Sequence, residues 1–356
     1  MLAAMTIATL DELGGWPAVL GKLTGGDDLT GTEASAAMAE ILEGNATSAQ
    51  IAGFIVALRM KGETVDELTG LVQAMIDKAT PVPLADPASV VDSVGTGGDR
   101  SHSINVSTLA SLVIAGAGGK VCKHGNRAAS SACGAADLLE ALGVAIDLGP
   151  EGVARCVENA GIGFCFAPKF HAAMRFAVPT RRELGVPTVF NVLGPLANPA
   201  RARRQVTGVA DAAMAERMLR VLQANGSVRS LVVHGHDGLD ELTTTTTSTV
   251  HELAGGEVRT YVVDPAALGL ARSTLDDLRG GDAAVNAGFA RRVLDGERGA
   301  HRDIVLLNAA AGLVAADLAS DFADGLERAS ASVDDGAAVA ALERLVTESQ
   351  AAAAAE

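Results

Sequence analysis

Residues 89–99 have the sequence Ser89-Val90-Val91-Asp92-Ser93-Val94-Gly95-Thr96-Gly97-Gly98-Asp99, an apolar segment followed by three glycines within four positions. The apolar part predicts a buried β-strand, and a helical pattern begins soon after, at Asn105-Val106-Ser107-Thr108. Glycine lets the backbone come close to an anion, and the free N–H groups of a turn or helix start bind it. The stretch therefore predicts a phosphate-binding turn at residues 95–98, which we call the glycine turn, between a strand and a helix.

The glycine turn does not match the two standard phosphate-binding motifs. The dinucleotide pattern G-x-G-x-x-G fails because Arg100 stands where the third glycine belongs. The pattern G-x-x-x-x-G-K-[ST] does not occur in the chain. A tight turn that binds no ligand is the alternative to a phosphate site.

The charge of the chain limits its partners. Its 356 residues carry a formal net charge of −15, from 28 basic and 43 acidic side chains. An acidic surface disfavours non-specific nucleic-acid binding, which depends on basic patches. A few basic side chains can still hold an anion inside an acidic protein, so we expect small-molecule substrates and no nucleic-acid partner.

Cysteine use and the N-terminus predict a cytoplasmic location. No C-x-x-C pair occurs, so we expect reduced, mostly buried thiols at Cys122, Cys133, Cys156 and Cys165. Residues 1–5 lack the basic flank and apolar core of a signal peptide. No uninterrupted apolar run of about 18 residues predicts a membrane span.

Residues 1–84 predict a small helical domain. Thr47-x-x-Gln50 and Thr64-x-x-Glu67 are capping boxes, and each precedes apolar residues at helical spacing. This apolar stripe packs either within its own chain or against a partner subunit, and the sequence leaves both possibilities open. We also expect a helical insertion near residues 170–198 to join this domain.

Residues 85–356 alternate short apolar runs with helical patterns, which predicts a larger α/β domain with a central, mostly parallel sheet. The predicted strands include Lys120–Cys122, Gly163–Phe166, Arg204–Val209 and Leu231–Val233. Ala254-Gly255-Gly256 between two further apolar runs predicts a hairpin, which would make the sheet mixed. The C-terminal part predicts helices, and we expect the alanine tail at residues 351–355 to be frayed.

Polar clusters follow several of the predicted strands, where ligands of open α/β sheets bind. Lys123-His124-Gly125-Asn126-Arg127 comes directly after one strand and offers two cations to a phosphate or carboxylate. Arg181 precedes Gly194-Pro195, which predicts a rigid loop, and this arginine is suited to hold a carboxylate through two hydrogen bonds. Ordinary surface positions for these cations are the alternative.

Asp240 and Glu241 form an acidic pair after the predicted strand at Leu231–Val233. Adjacent carboxylates repel each other unless a cation lies near them, and Mg²⁺ is the usual cation where phosphates are also present. Two solvated loop acids are the alternative. The β-prone threonine run at residues 243–247 follows and has no evident chemical role. Together the clusters predict a site for a magnesium-bound, pyrophosphorylated substrate and a smaller anion.

These segments, in this order, resemble the anthranilate phosphoribosyltransferases over essentially the whole chain. The resemblance rests on the glycine turn with Asp99, Asn105–Thr108, Lys123–Arg127, Asn191–Pro199 and Asp237–Glu241. It implies a small helical domain beside an α/β domain, a fold similar to that of the nucleoside phosphorylases, and a homodimer formed through the helical domains. It also implies transfer of the 5-phosphoribosyl group from 5-phosphoribosyl 1-diphosphate (PRPP) to the amine of anthranilate, in tryptophan biosynthesis, with release of pyrophosphate.

The same resemblance assigns three sets of residues. The diphosphate substrate is expected at Gly95, Gly97, Gly98, Asp99, Asn105, Ser107, Thr108 and Lys123. Anthranilate is expected at His124, Asn126, His171, Arg181, Gly194 and Pro195. Mg²⁺ is expected at Ser107, Asp240 and Glu241.

No dedicated catalytic base is expected, because the anthranilate nitrogen is a free aniline at neutral pH. The main tasks of the protein are then to neutralise the departing pyrophosphate and to hold the amine close to the anomeric carbon. Two rival functions share this fold class. A nucleoside phosphorylase would carry a lysine- and serine-rich signature that we do not find, and a nucleic-acid-binding relative without enzyme activity disagrees with the net charge of −15.

Overall fold

The computed structural model describes residues 8–128 and 132–356. The prediction that residues 1–5 form no signal peptide lies outside these ranges. The helices of the described chain are α1 (Gly15–Gly25), α2 (Gly31–Glu43), α3 (Ser48–Lys61), α4 (Val65–Lys78), α5 (Val106–Gly116), α6 (Ala135–Ala141), α7 (Pro150–Ala160), α8 (Ala167–Phe170), α9 (Val178–Leu184), α10 (Phe190–Leu196), α11 (Ala212–Ala224), α12 (Ala283–Leu294), α13 (Ala300–Ala315), α14 (Phe322–Asp334) and α15 (Ala337–Ala353). Its strands are β1 (Val90–Gly95), β2 (Lys120–Gly125), β3 (Ile162–Phe166), β4 (Arg204–Gly208), β5 (Arg229–Gly235), β6 (Ser248–Ala254) and β7 (Glu257–Val263).

The strands of the described residues form one seven-stranded sheet with the order β3-β2-β1-β4-β5-β6-β7. The first five strands pair in parallel, whereas β6 and β7 continue the sheet in antiparallel fashion. Helical crossovers join most of the parallel strands, while the two glycines at 255 and 256, both with positive φ, close the β6–β7 hairpin. The predicted α/β class, with a mostly parallel sheet and a terminal hairpin, is confirmed.

The strand order reverses between β1 and β4. From β1 the chain moves to one side, through β2 to β3, and then returns to build β4 and β5 on the other side. Gly95 and Gly208 are partners in the ladder at the carboxyl ends of β1 and β4. Open α/β sheets bind ligands at such a switch point, so the fold itself singles out this edge of the sheet.

Residue contacts divide the chain into two units. The smaller unit comprises the chain up to Thr80 together with His171–Ala197, and the larger unit comprises Pro81–Phe170 and Asn198–Glu356. In the smaller unit, α2 and α4 approach closely, because a Cβ on Gly70 would lie 2.0 Å from the Gly31 carbonyl oxygen. Both predicted capping boxes are present, at the starts of α3 and α4, and a third caps α2.

The core of the larger unit consists mainly of Ala, Val, Leu and Ile, as the 3% aromatic content requires. Helix α13 is buried from Ile304 to Ala315 and packs on α5, α14 and the sheet. A Cβ on Gly312 would lie 2.1 Å from Cδ1 of Ile114, so this glycine permits the close packing of α13 on α5. The helix therefore forms a rigid layer behind β1, β4 and β5.

The expectation of a frayed C-terminal tail is wrong. The alanine tail is not frayed: α15 extends to Ala353, Ala352 is buried, and the Glu356 carboxylate accepts the Gly149 N–H at 2.8 Å. Alanine is the best helix former, so the composition favours the helix that is observed. The threonine run forms a loop before β6, because its hydroxyls bond to the neighbouring turn.

All four cysteines lie within the described ranges, are buried and carry free thiols, as expected. Burial raises the pKa of the Cys133 and Cys156 thiols to about 11, which keeps both protonated at neutral pH. In the described part of the chain, no helix has the length and apolar character that a membrane crossing requires.

Candidate functional site

The loop at residues 237–241, which we call the acidic loop, lies across the ends of β1 and β4. A Cβ on Gly208 would lie 1.5 Å from the Asp240 carbonyl oxygen, and a Cβ on Gly95 would lie 2.3 Å from Asp240 Oδ2. A larger residue at Gly208 would displace the backbone of the loop, and one at Gly95 would displace the Asp240 carboxylate. The fold thus brings the acidic pair and the glycine turn together, although about 140 residues separate them in the sequence.

Asp240 and Glu241, the acidic pair of this loop, each accept a hydrogen bond from the backbone of a distant segment. Asp240 Oδ2 accepts the N–H of Gly97 at 2.7 Å, and Glu241 Oε1 accepts the N–H of Ser107 at 3.1 Å. Ser107 lies in the first turn of α5, whose N-cap residue, Asn105, makes no side-chain capping bond. Glu241 therefore supplies from a distant loop the negative charge that a helix start favours.

Lys123 is the buried cation of the site. Its side chain extends from β2, and Nζ donates to Ser107 Oγ at 3.2 Å and to the carbonyl oxygen of Ser93. Burial lowers the pKa of Lys123, and the charges of Asp92, Glu241 and Asp240 oppose that shift. A single ammonium group thus faces several carboxylates in a dry environment.

The carboxylates have strongly shifted pKa values. Burial, followed by the charge of Asp99, raises the pKa of Asp240 to about 7. Burial, followed by the charge of Asp240, raises the pKa of Glu241 to about 8, although Lys123 opposes the shift. A cation bound beside these two acids would favour their charged forms and lower both pKa values.

The oxygen atoms available here suit Mg²⁺. Asp240 and Glu241 each have a second carboxylate oxygen besides the one bonded to the backbone, and Ser107 Oγ lies 3.2 Å from Lys123 Nζ. Mg²⁺ prefers oxygen ligands and usually keeps several waters and substrate phosphates in its coordination shell. Two carboxylates and one hydroxyl are therefore an adequate protein share of such a site.

Asp92 and Asn198 were not predicted as site residues. Asp92, fully buried on β1, accepts the N–H of His124 at 3.1 Å and the side-chain amide of Asn198 at 2.8 Å. Burial raises the pKa of Asp92 to about 6, with the Lys123 charge opposing the shift. These bonds position β2 where it presents Lys123 and His124. A charged residue inside an apolar strand run was the available signal for Asp92.

The other predicted phosphate residues lie around the glycine turn and α5. Asp99 accepts a hydrogen bond from the Ser101 hydroxyl at 2.8 Å, and the Asn105 amide donates to the Cys133 carbonyl at 3.0 Å. The Thr108 hydroxyl is buried and has no hydrogen-bond partner among the described residues. Gly97 and Gly98 both have positive φ, which explains the need for glycine at these two positions of the turn.

Arg127 lies at the protein surface, which was the alternative to a role in anion binding. Its guanidinium pairs with Asp137 at 2.8 Å and with Glu140 at 2.9 Å, so its charge is already neutralised. Asn126 beside it is exposed, whereas His124 is buried at the end of β2. The larger unit therefore contributes one buried and one exposed residue to the set expected to contact anthranilate.

The remaining residues of that set belong to the smaller unit. His171 is buried, its Nε2 lies 2.9 Å from the Ala197 carbonyl oxygen, and burial lowers its pKa. Arg181 lies partly buried on α9, with its guanidinium carbon 5.0 Å from the Phe190 ring centroid. Burial lowers the pKa of Arg181, and no carboxylate of the described chain forms an ion pair with it. The loop expected at Gly194-Pro195 is wrong, because both residues lie in α10.

Comparison with known proteins places the chain among glycosyl transferases. Residues 87–339 match the family model of the glycosyl transferase family α/β domain, and residues 17–79 match that of its helical bundle domain. The chain is 58% identical over 335 residues to the anthranilate phosphoribosyltransferase of Rhodococcus jostii, with 92% of each chain covered.

Solved structures give the same result. The anthranilate phosphoribosyltransferase of Thermus thermophilus superimposes with a TM-score of 0.88 at 42% identity, covering 93% of this chain and 99% of that one. The Saccharomyces cerevisiae enzyme in complex with PRPP and Mg superimposes with a TM-score of 0.86 at 27% identity, covering 94% and 98%. Fold and sequence comparisons therefore agree.

Proposed function

The chain belongs to the anthranilate phosphoribosyltransferases, and from this membership we propose how its residues divide the work of the reaction. The enzyme transfers the 5-phosphoribosyl group of PRPP to the amine of anthranilate, giving N-(5-phosphoribosyl)anthranilate and pyrophosphate in tryptophan biosynthesis. One observation supports the division best: the acidic loop lies on the glycine turn and at the start of α5. Acids, phosphate-binding backbone and a buried lysine thus share one edge of the sheet.

The diphosphate substrate binds at the glycine turn and α5 in this proposal. The residues that contact it are Gly95, Gly97, Gly98, Asp99, Asn105, Ser107, Thr108 and Lys123. The unpartnered Thr108 hydroxyl offers a donor to phosphate oxygens, and Lys123 offers a positive charge. Ser107, Asp240 and Glu241 hold Mg²⁺, which when bound supplies positive charge to the departing pyrophosphate. The yeast relative with PRPP and Mg supports this choice of metal.

Anthranilate recognition relies on Arg181 in this proposal. The arginine has no carboxylate partner in the described chain, and it lies against the Phe190 ring, so it is available to an aromatic acid. His124, Asn126, His171, Gly194 and Pro195 complete the set of contacts. No dedicated base is assigned, because the aniline nitrogen needs no deprotonation before it attacks.

The helical domain, predicted at residues 1–84 with the insertion near residues 170–198, also forms a homodimer in this proposal. Val56 is 36% and Met60 is 84% exposed, one turn apart on α3. Exposed apolar side chains on one helix face favour burial against a second copy of the chain. The cytoplasm is the proposed location, consistent with the four free thiols.

The direct test is an assay of the purified protein with PRPP, Mg²⁺ and anthranilate, which is fluorescent. Loss of anthranilate fluorescence that requires both other components is expected. A parallel assay with thymidine and inorganic phosphate tests the rival nucleoside phosphorylase. Turnover of thymidine without turnover of anthranilate would refute the proposed function.

A further inference from the structure

Asn308 is the single polar residue in the stretch of α13 from Ile304 to Ala315, and it is 1% exposed. Its side-chain oxygen accepts the N–H of Leu242 at 2.9 Å, and its side-chain nitrogen donates to the carbonyl oxygen of Leu242 at 2.9 Å. The second hydrogen on this nitrogen goes to the Ile304 carbonyl, also at 2.9 Å. The amide therefore binds both backbone groups of one residue, and its orientation is determined by its partners.

Leu242 directly follows Glu241, and its side chain is fully buried in the core. The acidic loop contacts the end of β4 and the glycine turn, where Asp240 Oδ2 accepts the N–H of Gly97 at 2.7 Å. The position of its acids therefore depends on how the backbone of the loop is held. A buried amide costs stability unless its polar atoms are hydrogen-bonded. Since the Asn308 amide bonds to the backbone of Leu242, moving the loop outward would leave that amide buried without these partners.

The threonine run anchors the other side of the same loop. The hydroxyls of Thr243 and Thr245 both donate to Asp237 Oδ2, at 2.6 and 2.5 Å. The Thr243 N–H donates to the Ser248 hydroxyl at 3.0 Å, which ties the run to the start of β6. The loop is thus held from α13 at Leu242 and from its own turn at Asp237.

We propose that Asn308 is a positioning residue for the phosphoribosyl transfer: by binding the backbone of Leu242 it holds Asp240 and Glu241 against the glycine turn and the start of α5. The proposal rests on the metal site proposed above. Asn308 touches neither substrate nor metal and acts through the loop. The threonine run, which had no role on sequence grounds, gives the same loop a second anchor.

The test compares Asn308→Leu, which keeps the side-chain volume but loses all three bonds, with Val314→Ala on the same helix. Val314 is 2% exposed and belongs to the core, so its truncation weakens the packing of α13 and removes no hydrogen bond to the acidic loop. For Asn308→Leu, the Mg²⁺ concentration that gives half-maximal activity is expected to rise about tenfold or more, and the KM for PRPP to rise with it. The KM for anthranilate is expected to stay within about twofold. Val314→Ala is expected to lower thermal stability and to leave these constants unchanged.

Amide hydrogen exchange of the free protein gives a readout that needs no metal or substrate. In the wild-type chain the Leu242 amide is expected to exchange as slowly as the core amides of α13, and Asn308→Leu is expected to speed it about tenfold or more. Fast exchange of Leu242 in the wild-type protein would overturn the proposal, as would equal kinetic shifts in both variants. If instead the wild-type enzyme needs no Mg²⁺, the metal site itself fails, and the exchange data still decide whether Asn308 anchors the loop.

Discussion

The pKa values of Asp240 and Glu241 are raised in the folded protein, and the direction of this shift determines how the stability of the metal-free protein depends on pH. Their pKa values of about 7 and about 8 lie above the ordinary 3.8 and 4.5. The folded protein therefore binds protons that the unfolded chain releases. The contribution of these two groups to the free energy of unfolding is complete below pH 3.8 and is lost as the pH rises through about 8.

We expect the thermal stability of the metal-free protein to fall as the pH rises from about 4 to about 8, the interval between the unfolded and folded pKa values of the two acids. The fall in stability should be smaller in the double variant Asp240→Asn with Glu241→Gln, because side-chain amides release no proton and remain neutral at every pH tested. The measurement is thermal unfolding in the presence of a chelator at several pH values. Identical pH profiles for the two proteins would contradict the assigned pKa shifts.

The same double variant tests the metal assignment. We expect its turnover to fall by about a hundredfold or more and its response to Mg²⁺ to vanish, because two of the three proposed ligands lose their charge. Asp276→Asn with Asp277→Asn, an adjacent acid pair that is exposed, serves as the control. Steady-state anthranilate fluorescence at several Mg²⁺ concentrations measures both. Retained activity with an unchanged Mg²⁺ requirement would exclude this site.

Arg181 and Arg182 provide a matched pair on α9. We expect Arg181→Ala to raise the KM for anthranilate about tenfold or more and to change the KM for PRPP little. The reason is that no carboxylate of the described chain pairs with the Arg181 guanidinium, which leaves it available to the carboxylate of anthranilate. Arg182 is exposed, and Arg182→Ala should leave both constants nearly unchanged. Equal losses for the two substrates in Arg181→Ala would argue against its role in anthranilate binding.

At the scale of the elements, the end of β4 decides whether the acidic loop fits. Gly208 faces the Asp240 carbonyl so closely that a methyl group has no room, whereas Gly288 on α12 has no atom within 4 Å of an added Cβ. Adding a methyl group should therefore have opposite effects on stability at the two glycines. Glycine in the first position permits a contact, and glycine in the second only weakens a helix.

We expect Gly208→Ala to destabilise the protein by about 1–3 kcal/mol and to weaken Mg²⁺ binding, because the strand end and the loop must separate. Gly288→Ala should be neutral or stabilising by up to about 1 kcal/mol. Urea unfolding gives the stabilities, and the Mg²⁺ titration of activity gives the functional effect. A Gly208→Ala enzyme with normal stability and Mg²⁺ response would show that the loop does not need this contact.

At the scale of the whole molecule, the proposed dimer concerns two exposed apolar side chains that lie one turn apart on α3 of the smaller unit. The net charge of −15 opposes association in general, so a stable dimer needs a local apolar contact. Met60, at 84% exposed, and Val56 on α3 provide the beginning of such a contact. Substitutions on α3 therefore test the proposed dimer interface most directly.

We expect Met60→Glu to convert the protein from dimer to monomer, because burying a carboxylate in an apolar interface is costly. Val262→Glu is the control, since Val262 is 58% exposed on β7 in the larger unit. Sedimentation velocity at several protein concentrations measures the change. Dimers that persist in Met60→Glu, or a wild-type protein that is already monomeric, would rule out α3 as the interface.

Local interactions explain which features were readable from the sequence. The capping boxes of α3 and α4, the strand before the glycine turn and the hairpin at Gly255-Gly256 involve residues only a few positions apart, so propensity and turn chemistry determine them. The acidic pair and Lys123 were recognisable because their types and their places after strands suit a phosphate site. Only the resemblance to a family supplied their individual roles.

Long-range packing determined the rest. Gly208 receives the Asp240 carbonyl, Asn198 bonds to Asp92 and Asn308 binds Leu242, and in each case the partners are more than 30 residues apart. Arg127 differs from these cases, because it pairs with Asp137 and Glu140 on α6, the helix that follows β2 in the chain. Hydrophobic periodicity shows which face of an element is buried, but which polar group it meets there depends on how the strands and helices are ordered in space.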